Sequence, residues 1–109
     1  FSKTNKEFAL SIVSIRNYKE LLGLHGKDIT DQLIKQISHK ISSYLNIDEV
    51  LFKLESEEFG ILHFGKVSPD LLLNRFKSLL ELDSQFINET RYKVSIIVGT
   101  TIYSSENTS

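Results

Sequence analysis

Two apolar, β-branched segments near the ends of the chain constrain its fold more than any other feature. They occupy residues 8–15 and 92–102. Both are rich in valine and isoleucine, and their nearly continuous apolar character predicts strands that are buried on both faces. We therefore expect two central strands of a single sheet, formed by segments that are far apart in the chain.

Two helical patterns follow the first strand. Asn17 with Glu20 three residues later predicts a capping box that begins a short helix at residues 18–22, and Gly23 is suited to end it. Residues 28–45 carry the clearest helical pattern. Its apolar face consists of Leu33, Ile34, Ile37, Ile41, Tyr44 and Leu45.

The middle of the chain predicts a hairpin and a further helix. Residues 49–54 and 59–64 have strand character, and their short separation indicates a hairpin. Ser68 and Pro69 then begin a helix, with proline at its first position. The predicted apolar face of this helix consists of Leu72, Phe76, Leu79, Leu80 and Phe86. We assign the leucines at 71–73 to the core, although exposed leucines there would indicate a partner interface.

The order of these elements is β-α-α-β-β-α-β. It predicts an α+β fold with a mixed, mostly antiparallel central sheet and helices packed against it. The 109 residues suffice for one domain, here residues 1–109 with a polar tail at 104–109. Because the chain begins at Phe1 and has no signal peptide, we interpret it as a piece of a larger protein.

The charge and cysteine content exclude several classes of function. The chain has 13 basic and 14 acidic residues, whereas nucleic-acid binders carry a basic excess, so we expect no nucleic-acid partner. Cysteine is absent, which excludes disulfides, a thiol nucleophile and a zinc–thiolate site. No apolar run approaches the about 18–20 residues of a membrane-spanning helix. We expect no direct membrane insertion by this segment, and the three histidines lack the spacing of metal ligands.

Three stretches together are recognisable. The hairpin turn reads Leu54-Glu55-Ser56-Glu57-Glu58-Phe59, residues 14–19 read Ser-Ile-Arg-Asn-Tyr-Lys, and the closing strand contains Ile97-Val98-Gly99. Taken in chain order, from residues 14–19 through the hairpin turn to the closing strand, they resemble the GGDEF family, the diguanylate cyclases, with its D-x-D and F-K, its signature hairpin and its S-I-G strand. The resemblance covers about residues 8–101 and stops short of the family's last helix and strand. It implies the palm-like, ferredoxin-like core of the nucleotide cyclases.

The resemblance implies a damaged metal site. The family joins two GTP molecules into cyclic di-GMP, and phosphoryl transfer of this kind uses metal ions held by carboxylates. One ligand is the first Asp of D-x-D, which is Ser14 here, and another is the acid at the third signature position, which is Glu57. Arg16 takes the second Asp position and would repel a cation. Glu57 is thus the one remaining, vestigial ligand.

The nucleotide contacts are only partly retained. The two signature glycines, which allow close approach of a nucleotide, are Glu55 and Ser56, and Leu22 replaces the family's guanine-reading Asn. Lys19 matches its phosphate-contacting Lys and Asp31 its guanine-reading Asp, so both are candidate nucleotide-binding residues. They are equally explained as a helix-surface lysine and a first-turn acid. The three glutamates of the signature are likewise explained as a solvated hairpin turn; they are Glu55, Glu57 and Glu58.

The family's product-inhibition site is an R-x-x-D motif just before the signature. The aligned residues are Asn46-Ile47-Asp48-Glu49. Without the arginine, no side chain forms a bidentate hydrogen bond to a phosphate or a guanine edge at this place. Lys53 aligns with a second basic position but is a weak substitute. We expect no inhibition by cyclic di-GMP at this place.

These residues predict a catalytically inactive GGDEF-like domain that serves as a regulatory or interaction module of a bacterial signalling protein. We expect no catalytic residue and no cofactor, with Mg²⁺ only if the residual nucleotide site functions. The expected partners are neighbouring domains of the same chain, with a homodimer and GTP as open candidates. We expect a cytoplasmic domain, and the whole protein could be soluble or anchored in a membrane.

Three alternatives remain open from the sequence. The first is a GTP-sensing or other nucleotide-sensing domain that controls a neighbouring phosphodiesterase or output domain. The second is a residual diguanylate cyclase with unusual ligands. The third is an unrelated ferredoxin-like domain in which the hairpin match is a coincidence.

Overall fold

The computed structural model describes residues 7–104, with the side chains of residues 7–103. Its elements are β1 (Glu7–Ile15), α1 (Tyr18–Tyr44), β2 (Glu49–Glu55), β3 (Glu58–Phe64), α2 (Pro69–Leu80), a 3₁₀ turn (Glu81–Asp83), β4 (Ser84–Ile87), β5 (Thr90–Lys93) and β6 (Ile96–Ser104). Apart from the backbone of Ser104, the predicted polar tail lies outside the described residues. None of the described helices is long and apolar enough to cross a membrane.

The main sheet has the strand order β2-β3-β1-β6. Each neighbouring pair is antiparallel, so that Val13 at the centre of β1 lies opposite Phe59 on β3 and Val98 on β6. This arrangement confirms the predicted α+β fold with a mostly antiparallel sheet. The strands β4 and β5 form a separate two-stranded sheet.

The strand β1 is central but is buried more deeply on one face than on the other. Ala9, Val13 and Ile15 are buried, whereas Leu10 and Ile12, which point to the opposite face, are half-buried. The buried face packs in one hydrophobic cluster with residues of both helices. The prediction of burial on both faces was therefore wrong, because α1 and α2 cover the same side of the sheet.

The helix α1 is interrupted once. Gly26 has φ +85° and ψ 172°, a conformation that only glycine adopts easily, and it divides the helix into two segments. The predicted pair of helices is thus present, but the break lies at Gly26 instead of Gly23. The Thr30 hydroxyl donates to the carbonyl of Gly26 at 2.7 Å, which secures the start of the second segment.

The helix α2 begins as predicted. The Ser68 hydroxyl accepts a hydrogen bond from the Leu71 amide at 3.1 Å, and Pro69 opens the helix. Its apolar face is less buried than predicted, because Leu79 alone is buried among its residues and Leu73 is 55% exposed. Phe86 belongs to β4 rather than to this helix, and its side chain is 56% exposed.

The closing segment forms two strands instead of one. Residues 90–93 pair with β4, whereas residues 96–104 pair with β1, and the change of partner occurs at Val94 and Ser95. In the part of the chain that the structure describes, β6 is an edge strand, which corrects the prediction of a central one. Apolar patterning did not distinguish these arrangements, because Val94 is fully buried beneath the helices even though it lies between the strands.

A close approach between neighbouring strands requires glycine at position 60. A Cβ atom added to Gly60 would lie 2.7 Å from Cε2 and 2.9 Å from Cε1 of the Phe52 ring on β2. We expect Gly60→Ala to push this ring outward and to lower the free energy of unfolding by about 1 kcal/mol. Urea denaturation of a double-mutant cycle with Phe52→Ala measures the effect. Without the ring, alanine at 60 should be neutral or stabilising, and an equal cost in both backgrounds would contradict the prediction.

Candidate functional site

The hairpin turn lies against the end of β1. The Ile15 amide donates to the carbonyl of Glu57 at 2.9 Å, and Ser14 lies directly opposite Glu58 in the sheet register. The Ser14 hydroxyl donates to the carboxylate of Glu58 at 3.1 Å. On the other side of the turn, Glu55 lies opposite Glu58 at an irregularity of the β2–β3 register. The structure thus brings the predicted first metal position and the signature residues together.

The loop between β5 and β6 reaches the same end of β1. The Arg16 amide donates to the carbonyl of Ser95 at 2.8 Å. The Asn17 side chain donates to the carbonyl of Lys93 at 3.2 Å and accepts from the Ser95 amide at 3.0 Å. Asn17 makes no capping bond to α1, so the predicted capping box was wrong. Its side chain instead ties the loop to the start of the helix.

A cavity of about 580 Å³ lies between α1 and the β2–β3 hairpin. Apolar side chains including Leu51, Phe52 and Phe59 form part of its wall. Its polar lining consists of Tyr18, Lys27, Asp31, Lys35, Ser38, Lys53 and Ser56. Three lysines and one aspartate therefore face a partly apolar cavity, an arrangement suited to an anion that carries an apolar group.

The one acid of this cavity is paired. The Lys27 ammonium donates to Asp31 at 2.7 Å, four residues along the helix, and both side chains are exposed. This hydrogen bond, with the charge attraction of Asp31, raises the pKa of Lys27. Asp31 accordingly presents a carboxylate whose charge is already balanced.

The predicted site residues are distributed over the cavity, the hairpin turn and the exposed surface of α1. Asp31 and Ser56 line the cavity, whereas Glu57 and Glu58 lie half-buried at the turn. Lys19 is exposed on α1 and is not part of the cavity lining. Phe59 is 2% exposed and belongs to the core.

Lys27 and Lys35 line the cavity but were not predicted from the sequence as site residues. A signal was present, since both lie four residues from Asp31, on the same face of α1. Residues 7–104 contain no group of three or more histidine, aspartate or glutamate side chains arranged to hold a metal ion.

A separate buried charge cluster surrounds Glu49, the last of the residues that align with the family's product-inhibition motif. Its carboxylate accepts from Arg75 of α2 and from the Asn46 amide at 2.9 Å, and it lies 3.0 Å from Nδ1 of His63. Burial by itself raises the pKa of Glu49, but the hydrogen bonds from Arg75, Asn46 and His63 together lower it below its ordinary value of 4.5. The side chain of Glu49 is 1% exposed, so these contacts leave no room for a ligand at this carboxylate.

Comparison with known proteins relates this arrangement to one family. The family model described as "Diguanylate cyclase, GGDEF domain" matches residues 1–109. Solved structures with a similar fold include the GGDEF domain of TpbB, also called YfiN, from Pseudomonas aeruginosa, with a TM-score of 0.80 and 17% identity over 90% of this chain and 59% of that chain.

Two further structures extend the comparison. The GGDEF domain of DgcB from Caulobacter crescentus, solved in complex with c-di-GMP, has a TM-score of 0.78 and 13% identity over 90% of this chain and 60% of that chain. The diguanylate cyclase SiaD from Pseudomonas aeruginosa, solved with its activator SiaC, has a TM-score of 0.77 and 16% identity over 89% of this chain and 38% of that chain. The chain spans less than two thirds of each of these structures.

Proposed function

Because the chain belongs to the GGDEF domain family, we propose that it is a catalytically inactive GGDEF domain that acts as a regulatory module of a cyclic di-GMP signalling protein. Membership of this family removes the alternative of an unrelated ferredoxin-like domain. The remaining candidates differ in whether the chain turns over GTP, binds it without turnover, or does neither.

The observation that carries the proposal is the contact between Ser14 and Glu58. Joining two nucleotides requires metal ions that neutralise the triphosphate, and Mg²⁺ takes oxygen ligands, carboxylates above all. Ser14 supplies a neutral hydroxyl, and its proton points to a carboxylate oxygen of Glu58 that would otherwise face a cation. Glu57 and Glu58 are then the acids on the β1 side of the turn, whereas Glu55 is exposed on its other side, and this donor set does not fit a pair of magnesium ions.

The turn itself supports the same proposal. Glu55 and Ser56 stand where the family has glycines, so side-chain bulk and a negative charge face the approach of a triphosphate. Glu55 lies opposite Glu58, which concentrates negative charge at one end of the hairpin. Arg16, at the end of β1, is exposed and cannot serve as a cation ligand.

We expect no cyclic di-GMP from the protein incubated with GTP and Mg²⁺ or Mn²⁺, because two carboxylates and a hydroxyl do not hold a metal pair. Chromatographic separation of nucleotides measures the product. Product that disappears in Glu57→Ala and in Glu58→Ala, but persists in the exposed control Glu89→Ala, would overturn the proposal. Circular dichroism of each variant shows that the fold is retained.

Regulation without catalysis requires that the state of this domain shift the conformational equilibrium of a neighbour. We infer that this neighbour is another domain of the same cytoplasmic chain or a second copy of this domain. A coupling free energy of about 1–3 kcal/mol is typical of such control. SiaD, crystallised with its activator, is an example of a relative that engages a separate protein.

The cavity favours a second candidate, a nucleotide-sensing module. Its three lysines provide positive charge for a phosphate chain without any requirement for catalytic metal ligands. Calorimetric titration with GTP and Mg²⁺ distinguishes the two forms of the regulatory proposal. Saturation at sub-millimolar GTP without product would support sensing, and a flat titration would support a scaffold.

A further inference from the structure

We propose that two copies of this chain associate through the face of the main sheet that lies opposite the helices. This face, here called the open face, consists of three rows of side chains that cross the four strands. The inference rests on the regulatory form of the proposed function, in which a second copy of the domain is one candidate neighbour. It names the surface that this second copy would contact.

The strand register defines the three rows. Ala9 and Val13 of β1 are buried on the side of the helices, so the alternate residues of this strand belong to the open face. The residues paired with them on β3 and β6, and the next ones on β2, share that face. The first row is Phe64, Phe8 and Tyr103; the second is Val50, Leu62, Leu10 and Thr101; the third is Phe52, Gly60, Ile12 and Gly99.

The open face is apolar and uncharged. None of the strand residues in its three rows carries a charge, whereas a quarter of the chain, 25%, is charged. Phe64 is 51% exposed, and Phe8, Val50 and Tyr103 are exposed as well. Contiguous apolar surface of this kind is typical of an interaction site, because soluble monomers seldom leave it in water.

The size of the open face suits a weak dimer. Four strands about 4.8 Å apart and three rows about 7 Å apart cover about 400 Å² in projection. Two copies in face-to-face contact would bury about twice that area, which is near the lower limit for specific protein interfaces. We therefore expect a reversible dimer with a dissociation constant in the micromolar range.

The shape of the open face matches a second copy of itself. Its first row forms an aromatic ridge, in which the rings of Phe8 and Tyr103 stack with their centroids 4.7 Å apart. Its third row has a hollow at Gly99, because a Cβ atom added there would have no neighbour within 4 Å. Gly99 and Tyr103 lie at opposite ends of the face on the same strand. A twofold axis that crosses the strands at the middle row places Tyr103 of each copy over Gly99 of the other.

The uncharged rows also favour a second copy over a charged partner. In a twofold contact each copy meets its own surface, so a charged face would repel itself, whereas this one does not. A nucleic acid or a charged peptide would find no opposite charge in the three rows to attract it. Two twisted sheets of this kind pack face to face about 10 Å apart, with their side chains interdigitated.

Sedimentation equilibrium of the chain, from about 1 to 500 μM, tests the proposal. We expect the mean mass to rise from that of a monomer to that of a dimer and no further, because a twofold contact closes on itself. A chain that stays monomeric at the highest concentration would overturn the inference, and so would continued growth beyond the dimer.

A matched pair of variants locates the contact. Phe64→Lys puts a charge on the open face of both copies, so we expect the dimer dissociation constant to rise at least about tenfold. Phe86→Lys makes the same change at a residue that is 56% exposed on β4, outside the open face, and should leave the constant within about twofold. Circular dichroism checks that both variants fold. An equal loss in both would contradict the assignment to the open face.

Gly99→Val tests the twofold arrangement without weakening the fold. The space at Gly99 admits a side chain within one copy, and valine suits a strand, so stability to urea should not fall. The same side chain fills the hollow that would receive Tyr103 of the second copy. We expect the dimer dissociation constant to rise about fivefold or more. A constant that Gly99→Val leaves unchanged would overturn this arrangement.

The outcomes for the dimer and for the proposed function are distinguishable. A monomeric chain would refute the interface and leave intact the form of the regulatory proposal in which another domain of the same chain is the neighbour. Cyclic di-GMP formed from GTP would refute catalytic inactivity whether or not the copies associate through the open face.

Discussion

Glu49→Ala is expected to lower the free energy of unfolding by about 3–5 kcal/mol, the largest effect of any single substitution proposed for this protein. The side chain of Glu49 is 1% exposed, and its carboxylate is shared by Arg75, whose side chain is 9% exposed, and by His63. Removing the acid leaves the Arg75 guanidinium buried without its counter-charge. Urea denaturation followed by circular dichroism measures the loss.

Two control variants test whether the loss of stability comes from the unpaired buried charge. Asp31→Ala breaks the exposed pair with Lys27 and should leave the free energy of unfolding nearly unchanged, because solvent screens that pair. Glu49→Leu combined with Arg75→Met removes both main charges and should be less damaging than Glu49→Ala alone. If the double variant is the less stable of the two, the loss comes from packing and not from an unpaired charge.

The same carboxylate makes the fold sensitive to acid. Because the pKa of Glu49 is lower in the folded protein than in the unfolded chain, its ionised form stabilises the fold above the ordinary value of 4.5. That contribution is lost as the pH falls through the lowered pKa of the folded state. We therefore expect stability to decline below about pH 4.5, and the decline to be smaller in Glu49→Gln.

Ile37→Ala is expected to cost about 2–4 kcal/mol. Ile37 is fully buried in the cluster in which α1 packs against the sheet, so truncation removes apolar contacts and leaves a cavity. Leu24→Ala, on the same helix but 68% exposed, is the matched control and should change stability by less than about 0.5 kcal/mol.

Thermal and urea unfolding of both variants should rank them in the same order. An equal cost for Ile37→Ala and Leu24→Ala would indicate that helix propensity, and not burial, sets the stability of α1. The described arrangement of α1 over β1 and β3 would then need revision, because it depends on burial of the Ile37 face.

The hairpin was predictable from local sequence, because its two strand patterns and its short turn lie next to each other in the chain. The position of Glu58 opposite Ser14 depends instead on the pairing of β1 with β3, two segments that are far apart in the chain. The cavity was not predicted, because its lysines are ordinary surface residues until α1 is placed beside β2. From the sequence, Glu49 was only the last residue of the stretch that aligns with the product-inhibition motif, and its contact with Arg75 of α2 identified it as a buried charge.

The sequence by itself determined the order and type of most elements, the proline-led start of α2, and membership of a family with a palm-like sheet. These features depend on residue spacing and on turn chemistry, which act over a few positions along the chain. Tertiary structure alone decided that both helices cover one face of the sheet, that β5 and β6 take different partners, and that Asn17 holds a loop instead of capping a helix. Such choices depend on contacts between residues far apart in the chain, whose free energies local patterns do not contain.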